Sequence, residues 1–256
     1  MSQFEYQQYY DRNLPHIQPP EATLFVTFRL DGSLPQSALE QWRMEKRKLE
    51  AERLRREAIG GAPLDQEVVA GEKLGFQRRW FGKFEDLLHE EKTGPVWLKD
   101  ERVAKIVVDA MDYRDGRVYL LFAYCIMPNH VHAVFAPLLT EELARKLAER
   151  ARLRAKDSER KTQTDENDND PILAVIMQSL KGYTARKCNL ALGRSGQFWQ
   201  HESYDHVVRV AQEWDRIINY VLNNPVKAGL VEKWQDWKWS YLRQAQTVDN
   251  SEPVQE

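Results

Sequence analysis

Two hydrophobic periods run through this chain and separate its strands from its helices. Thr23 to Leu30 (TLFVTFRL) is rich in β-branched and aromatic residues and stops at the turn-forming cluster Asp31-Gly32-Ser33-Leu34-Pro35, which predicts a first strand. Gln36 to about Glu57 is highly charged, with Leu39, Trp42, Leu49 and Leu54 at helical spacing. Ile59 to Gly75 holds four glycines and a proline and reads as a loop or insertion. Phe76 to Glu91 returns to helical spacing, with Trp80, Phe81, Phe84, Leu87 and Leu88 as its apolar stripe. Asp100 reads as the N-cap of a helix to about Met111, whose inward side is Val103, Ile106, Val107 and Ala110. After the turn Arg114-Asp115-Gly116, Val118 to Ile126 and His130 to Ala136 form two strands joined by Met127-Pro128-Asn129, a hairpin.

The second half repeats the mixture. Thr140-Glu141-Glu142 opens a helix that fades into the polar run 156–170 (KDSERKTQTDENDND), which lacks apolar residues and reads as a flexible linker. Pro171 begins a helix ending near Gly193, with Ile172, Val175, Ile176, Leu180, Tyr183 and Cys188 on one stripe. Tyr204 to Arg209 reads as a short strand, and Ala211 to Asn223 as a helix stopping before Pro225. Trp234, Trp237 and Trp239 read as packing residues, followed by a polar tail from Gln244. This order predicts an α+β fold, one antiparallel sheet with helices on a face. The expected organisation is an N-terminal extension over 1–22, a single domain over 23–243 with helical insertions near 36–98 and the linker near 156–170, and a disordered tail over 244–256.

Composition narrows the class without naming a reaction. The chain has 256 residues, 42% hydrophobic and 30% charged, and a formal net charge of -2. That suits a water-soluble globular protein and shows no global basic excess, so any nucleic-acid surface must be local. No window reaches the ~20 apolar residues that a membrane span needs. The N-terminal segment lacks a secretory signal's basic start and apolar core, and two cysteines, Cys125 and Cys188, make no disulfide framework. The expectation is a cytoplasmic protein with reduced thiols.

The chemistry concentrates in two places. Side chains alternate along a strand, so His130 and His132 share one face while Val131 points to the other. Two imidazoles side by side on a strand are half of a divalent-metal site, and with an oxygen ligand they suit Mg²⁺, Mn²⁺ or Zn²⁺. The second place is Ser179 to Arg186 (SLKGYTAR), where Lys181, Arg186 and Lys187 surround Tyr183, and Arg194 and Trp199 follow. Cations interleaved with aromatics are what single-stranded nucleic acid needs, phosphate neutralisation and stacking surfaces together. A solvated helix face accounts for the same residues equally well.

Four motifs in order, MPNHVH from Met127, SLKGYTARK from Ser179, FWQHESYDHVVR from Phe198 and YVLNNPVKAGLV from Tyr220, resemble the REP-associated tyrosine transposases of the single-tyrosine HUH superfamily (histidine, bulky hydrophobe, histidine). The resemblance extends from Thr23 to the region of Trp239 and Ser240. It implies a ferredoxin-like antiparallel sheet with packed helices, binding of a DNA hairpin, and cleavage of the flanking single strand with a divalent metal, Mg²⁺ or Mn²⁺. It makes His130 and His132 the metal ligands and Tyr183 the nucleophile, in a monomer or a homodimer. It also implies a third ligand, Gln or Asn, one helical turn after the nucleophile. Lys187 stands there and is a poor ligand, so the third ligand is open among Asp205, His206, Glu202 and Asn189. Lys181, Arg186, Lys187, Arg194, Trp199 and Lys227 are the candidate DNA contacts. Two other functions fit the residues: a domesticated hairpin-binding protein with little or no catalysis, and a phosphohydrolase using His130, His132 and Asp205 without a covalent intermediate.

Overall fold

The computed structural model describes residues 9–11, 15–17, 22–61, 63–90, 94–141, 143–145, 148–149, 172–208 and 210–244. The expected linker at 156–170, the tail beyond 244 and most of the N-terminal extension lie outside the described residues. The elements in order are β1 (Tyr9–Asp11), β2 (Pro15–Ile17), β3 (Thr23–Arg29), α1 (Gln36–Gly60), α2 (Gln66–His89), α3 (Glu101–Arg114), β4 (Tyr119–Ile126), β5 (His130–Pro137), α4 (Ile172–Ala191), β6 (Tyr204–Val208), α5 (Ala211–Lys227) and β7 (Ser240–Leu242). β1 and β2 pair with each other.

The remaining strands form one antiparallel sheet in the order β6-β3-β5-β4-β7. Without β7, the sequence β3-α3-β4-β5-α4-β6 with β3 and β5 central is the split βαβ arrangement of ferredoxin-like folds. The expected α+β class therefore holds. Helices cover both faces of the sheet, not one, because its central strands are apolar on both sides. On the first face Val26, Phe28, Val131, Ala133 and Phe135 pack against α3 and α4 through Val103, Val107, Ala110, Val175, Ile176 and Leu180. On the second face Phe25, Ala123, Cys125 and Val134 pack against Ile218, Val221 and Leu222 of α5. A bulge in β4 leaves Phe122 without a register partner between Leu121 and Ala123. It reverses the alternation, so Leu121 and Tyr124 both face the first cluster.

Three boundaries differ from expectation. α2 begins at Gln66, where the Asp65 carboxylate accepts from Glu67 N at 2.7 Å, so Gly71 and Gly75 lie inside a helix and not in a loop. Helix glycines cost ~1 kcal/mol each against alanine, which burial of Phe76, Trp80 and Leu88 offsets. α5 continues through Pro225 to Lys227, because a proline in the last turn removes only the bond to the Val221 carbonyl. β7 is not predicted by the sequence, which shows only packing tryptophans before it. Its three residues pair with β4, held by Trp237 Nε1 donating to the Ile126 carbonyl at 2.9 Å.

Candidate metal centre

β5 begins at His130, and the register pairs Arg29 with His130 and Thr27 with His132 across to β3. These four side chains share the second face. There α2 lies over the start of β5, tied down by Asn129, whose Nδ2 donates to the Leu88 carbonyl at 2.9 Å. That bond leaves Asn129 Oδ1 to accept from His130 Nδ1–H at 2.6 Å. The His130 proton is thus held on the outward nitrogen and the lone pair of Nε2 points inward. His132 is anchored on the same outward side, with Nδ1 2.8 Å from Thr27 Oγ1. Outward bonds of this kind orient the imidazoles of metal sites.

The two Nε2 atoms meet at 3.0 Å, and both side chains are fully buried. Glu85 of α2 faces them, its Oε2 3.2 Å from His132 Nε2 and 4.0 Å from His130 Nε2. The Tyr220 hydroxyl of α5 donates to the same Oε2 at 2.5 Å. One turn beyond Glu85, His89 donates from Nε2 to Asn224 Oδ1 at 2.6 Å. Asn224 is fixed in that orientation by Nδ2 donating to the Tyr220 carbonyl at 2.7 Å. The other nitrogen, His89 Nδ1, is buried with no hydrogen-bond partner among the described residues. Glu85, His89 and His130 bring ligand atoms within 4.8 Å of one another.

These residues fit a divalent metal. A nitrogen–nitrogen separation of 3.0 Å lies within twice the ~2.0–2.1 Å metal–nitrogen distance, so one ion can contact both. The orphaned His89 lone pair has the right chemistry for a further ligand, since a buried unpaired acceptor costs stability unless something binds it. Burial and the neighbouring His132 depress the His130 pKa well below the ordinary value, which keeps the imidazole neutral, as a ligand must be. Burial alone would raise the Glu85 carboxyl, but His132 and the Tyr220 hydroxyl hold it well below the carboxylate range.

The other predicted residues lie elsewhere. Tyr183 is 42% exposed on α4, the helix layer on the opposite side of the sheet. Its ring lies 5.5 Å from the Arg114 guanidinium and 6.0 Å from Lys187 Nζ. The histidine pair and Tyr183 are therefore not brought together within the chain. Asp205 pairs with Val26 in the register and shares its face, away from the histidines. His206 is engaged with Glu213 at 2.7 Å. Asn189 bonds Arg194 and the Gly196 carbonyl. Glu202 lines the cleft described below, with none of its atoms in the cluster.

Among the DNA-contact candidates, Lys181 Nζ donates to the His201 carbonyl and Ser203 Oγ, pinning the 201–203 loop. Trp199 is core, its Nε1 donating to Thr184 Oγ1 at 2.8 Å. Arg194 lies 3.8 Å over the Trp97 ring, and Lys227 pairs with Asp86 at 3.4 Å. Arg186 and Lys187 are exposed.

The residues that sequence reasoning missed are Glu85, His89 and Tyr220. One signal was present. Glu85 sits inside the stripe Trp80, Phe81, Phe84, Leu88, and His89 follows it by four, so a carboxylate and an imidazole share the apolar face of one helix.

No protein-family model matches this chain, and no curated protein does. A solved structure of a REP-associated tyrosine transposase bound to a REP hairpin is similar to it, with 15% identity and a TM-score of 0.38 over 90% of this chain and 80% of that one. At that identity and TM-score the activity of that protein does not transfer to this chain.

Proposed function

We propose that this chain is a metal-dependent DNA strand-cleaving and strand-rejoining protein that recognises a hairpin and cuts the single strand beside it. The observation that carries this reading is the inward convergence of His130 Nε2 and His132 Nε2 on Glu85, with both Nδ1 atoms engaged outside. The order of the four motifs adds to it. Three imidazoles and a carboxylate favour Mn²⁺ over Mg²⁺. A bound divalent ion supplies polarisation of the scissile phosphate and offsets charge developing on its oxygens.

In this reading Glu85, His130 and His132 hold the ion, with His89 as a further nitrogen. Tyr220 and Asn129 hold Glu85 and His130 in position. The Tyr183 hydroxyl oxygen bonds to phosphorus, the phosphorus–O3′ bond breaks, and the phenol proton ends on the 3′ oxygen. The protein-linked phosphodiester is reversible, so a 3′-hydroxyl can attack it and rejoin the strand. Because Tyr183 stands on the opposite helix layer, its hydroxyl must arrive from α4 of a second copy or from a repositioned α4.

The test is incubation of the chain with hairpin DNA carrying a single-stranded flank, with Mn²⁺, followed by a denaturing gel. A covalent adduct lost in Tyr183→Phe and in His132→Ala is the expected result. An adduct that persists in Tyr183→Phe overturns the tyrosine assignment. The placement of Tyr183 favours a second reading, a hairpin-binding protein with a metal centre and no covalent step, which gives metal-stimulated binding and no adduct in any variant.

A further inference from the structure

The inserted helices α1 and α2 build something the ferredoxin-like order does not need. Between them and the edge of the sheet lies a cleft of about 500 Å³, within the ~300–1,000 Å³ range of small-ligand sites. One wall is aromatic: Trp42 of α1, Trp80, Phe81 and Phe84 of α2, and Tyr204 of β6. Tyr204 is stacked on Phe81 at 3.9 Å between centroids, and Phe84 lies 5.3 Å from Trp80 and 6.5 Å from Trp42. The lining carries Arg43, Lys46 and Arg47, together with Glu50, 3.9 Å from Lys46, and Glu202. The floor is Thr27, Arg29 and Glu85, so the cleft meets the candidate metal centre at its carboxylate.

Two polar groups in this cleft call for a ligand. Trp42 Nε1 is buried with no acceptor among the described residues. The Arg29 guanidinium approaches Ser33 Oγ at 3.4 Å and has no ion-pair partner among the described residues. Burial lowers Arg29 to about 10, against the pull of the nearby Asp31 carboxylate, which leaves it a cation at neutral pH. The register sets Arg29 opposite His130 on the same face. An anionic group held by Arg29 therefore sits beside the metal ligands.

We propose that this cleft holds one unpaired nucleotide of a DNA strand, its base against the aromatic wall and its phosphate at Arg29 beside the metal centre. The proposal rests on the DNA reading above and assigns the inserted helices their part in it. Aromatic faces accept any base by stacking, and the lining cations neutralise the neighbouring phosphates. An apolar peptide would leave Arg29 and the metal face without an anion, and a duplex has no unstacked base to offer.

The experiment uses the full chain in EDTA, so that binding is read without chemistry. A short single-stranded DNA carrying 5-iododeoxyuridine is photocrosslinked and the adduct is mapped by mass spectrometry. A blunt hairpin of the same composition serves as the second probe. Crosslinks on Trp42, Trp80, Phe81, Phe84 or Tyr204 are expected. By fluorescence anisotropy Trp42→Ala weakens the single strand about tenfold or more, Trp42→Phe restores most of it, and hairpin affinity is unchanged. Arg29→Met weakens the strand and lowers the salt dependence by about one released counterion. Crosslinks confined to other surfaces overturn the proposal, as does wild-type strand affinity in both Trp42→Ala and Arg29→Met. Free dAMP competing as well as the strand also overturns it, by assigning the cleft to mononucleotides. Where hairpin binding survives and only the cleft fails, the DNA reading stands alone; where neither probe binds, both fall. If circular dichroism shows that Trp42→Ala is unfolded, the crosslink map on the wild-type chain decides.

Discussion

Replacing Glu85 with Gln separates metal ligation from folding. The amide has the shape of the carboxylate, so its oxygen can take the Oε2 position, where the Tyr220 hydroxyl donates at 2.5 Å and His132 Nε2 lies 3.2 Å away. The metal-free variant should unfold within ~1 kcal/mol of the wild type, since one charge-assisted hydrogen bond is exchanged for a neutral one. The metal-bound comparison differs. At a Mn²⁺ concentration ~100 times Kd, linkage stabilises the wild type by ~2.7 kcal/mol, a rise in Tm of ~5–10 °C for a chain of this size. Loss of the carboxylate should weaken binding at least as much as loss of an outer partner, ~100-fold. The same Mn²⁺ then only equals Kd and adds ~0.4 kcal/mol, a shift of ~1 °C. Thermal unfolding by circular dichroism in EDTA and in Mn²⁺ reads both differences, and calorimetric titration gives Kd directly. A wild-type Tm indifferent to Mn²⁺ and Zn²⁺ refutes the centre. A full metal shift in Glu85→Gln refutes the ligand assignment.

Three further outcomes follow from particular contacts. Asn129→Ala frees the His130 ring and removes a donor from the Leu88 carbonyl, so Mn²⁺ affinity by calorimetry should fall ~10–100-fold, and unchanged affinity removes the orienting role. Gly94 has φ +78°, and a Cβ there would lie 2.1 Å from the Gly32 carbonyl oxygen, so Gly94→Ala should lose more than ~1 kcal/mol in urea unfolding, while a loss within ~0.5 kcal/mol contradicts the close approach. Burial lowers the Lys181 ammonium to about 7, with Arg29 adding to the shift and Glu202 opposing it. The folded-state pKa lies below the unfolded one, so the penalty is complete below about pH 7 and relaxes toward ~10.4, the unfolded value. Wild type should thus gain stability on Lys181→Met as pH rises from neutrality, and a constant difference between their melting temperatures would contradict this.

The legible parts of the sequence are those governed by a short period. The strand from His130 and the Asp100 cap were readable because a strand repeats every two residues and a cap needs one carboxylate at one position. The β7 strand was not, since Ser240-Tyr241-Leu242 is too short to show alternation and pairs only because Trp237 anchors it to β4. The limits of α2 were hidden by Gly71 and Gly75, whose intrinsic preference is overridden by burial of Phe76 and Trp80. Glu85 was visible as a carboxylate in an apolar stripe, yet nothing local said that the stripe would land on the histidines.

By itself the sequence determined that His130 and His132 share a face, because the alternation of a strand is a property of the backbone. Tertiary structure alone decided what meets that face. Packing of α2 over the start of β5 delivers Glu85 and His89 to the two imidazoles from about forty residues upstream, while packing of α4 on the other side sets Tyr183 apart from them. Both are choices between the two sides of one sheet. They follow from which apolar stripe fits which surface, a long-range fit that no local period encodes.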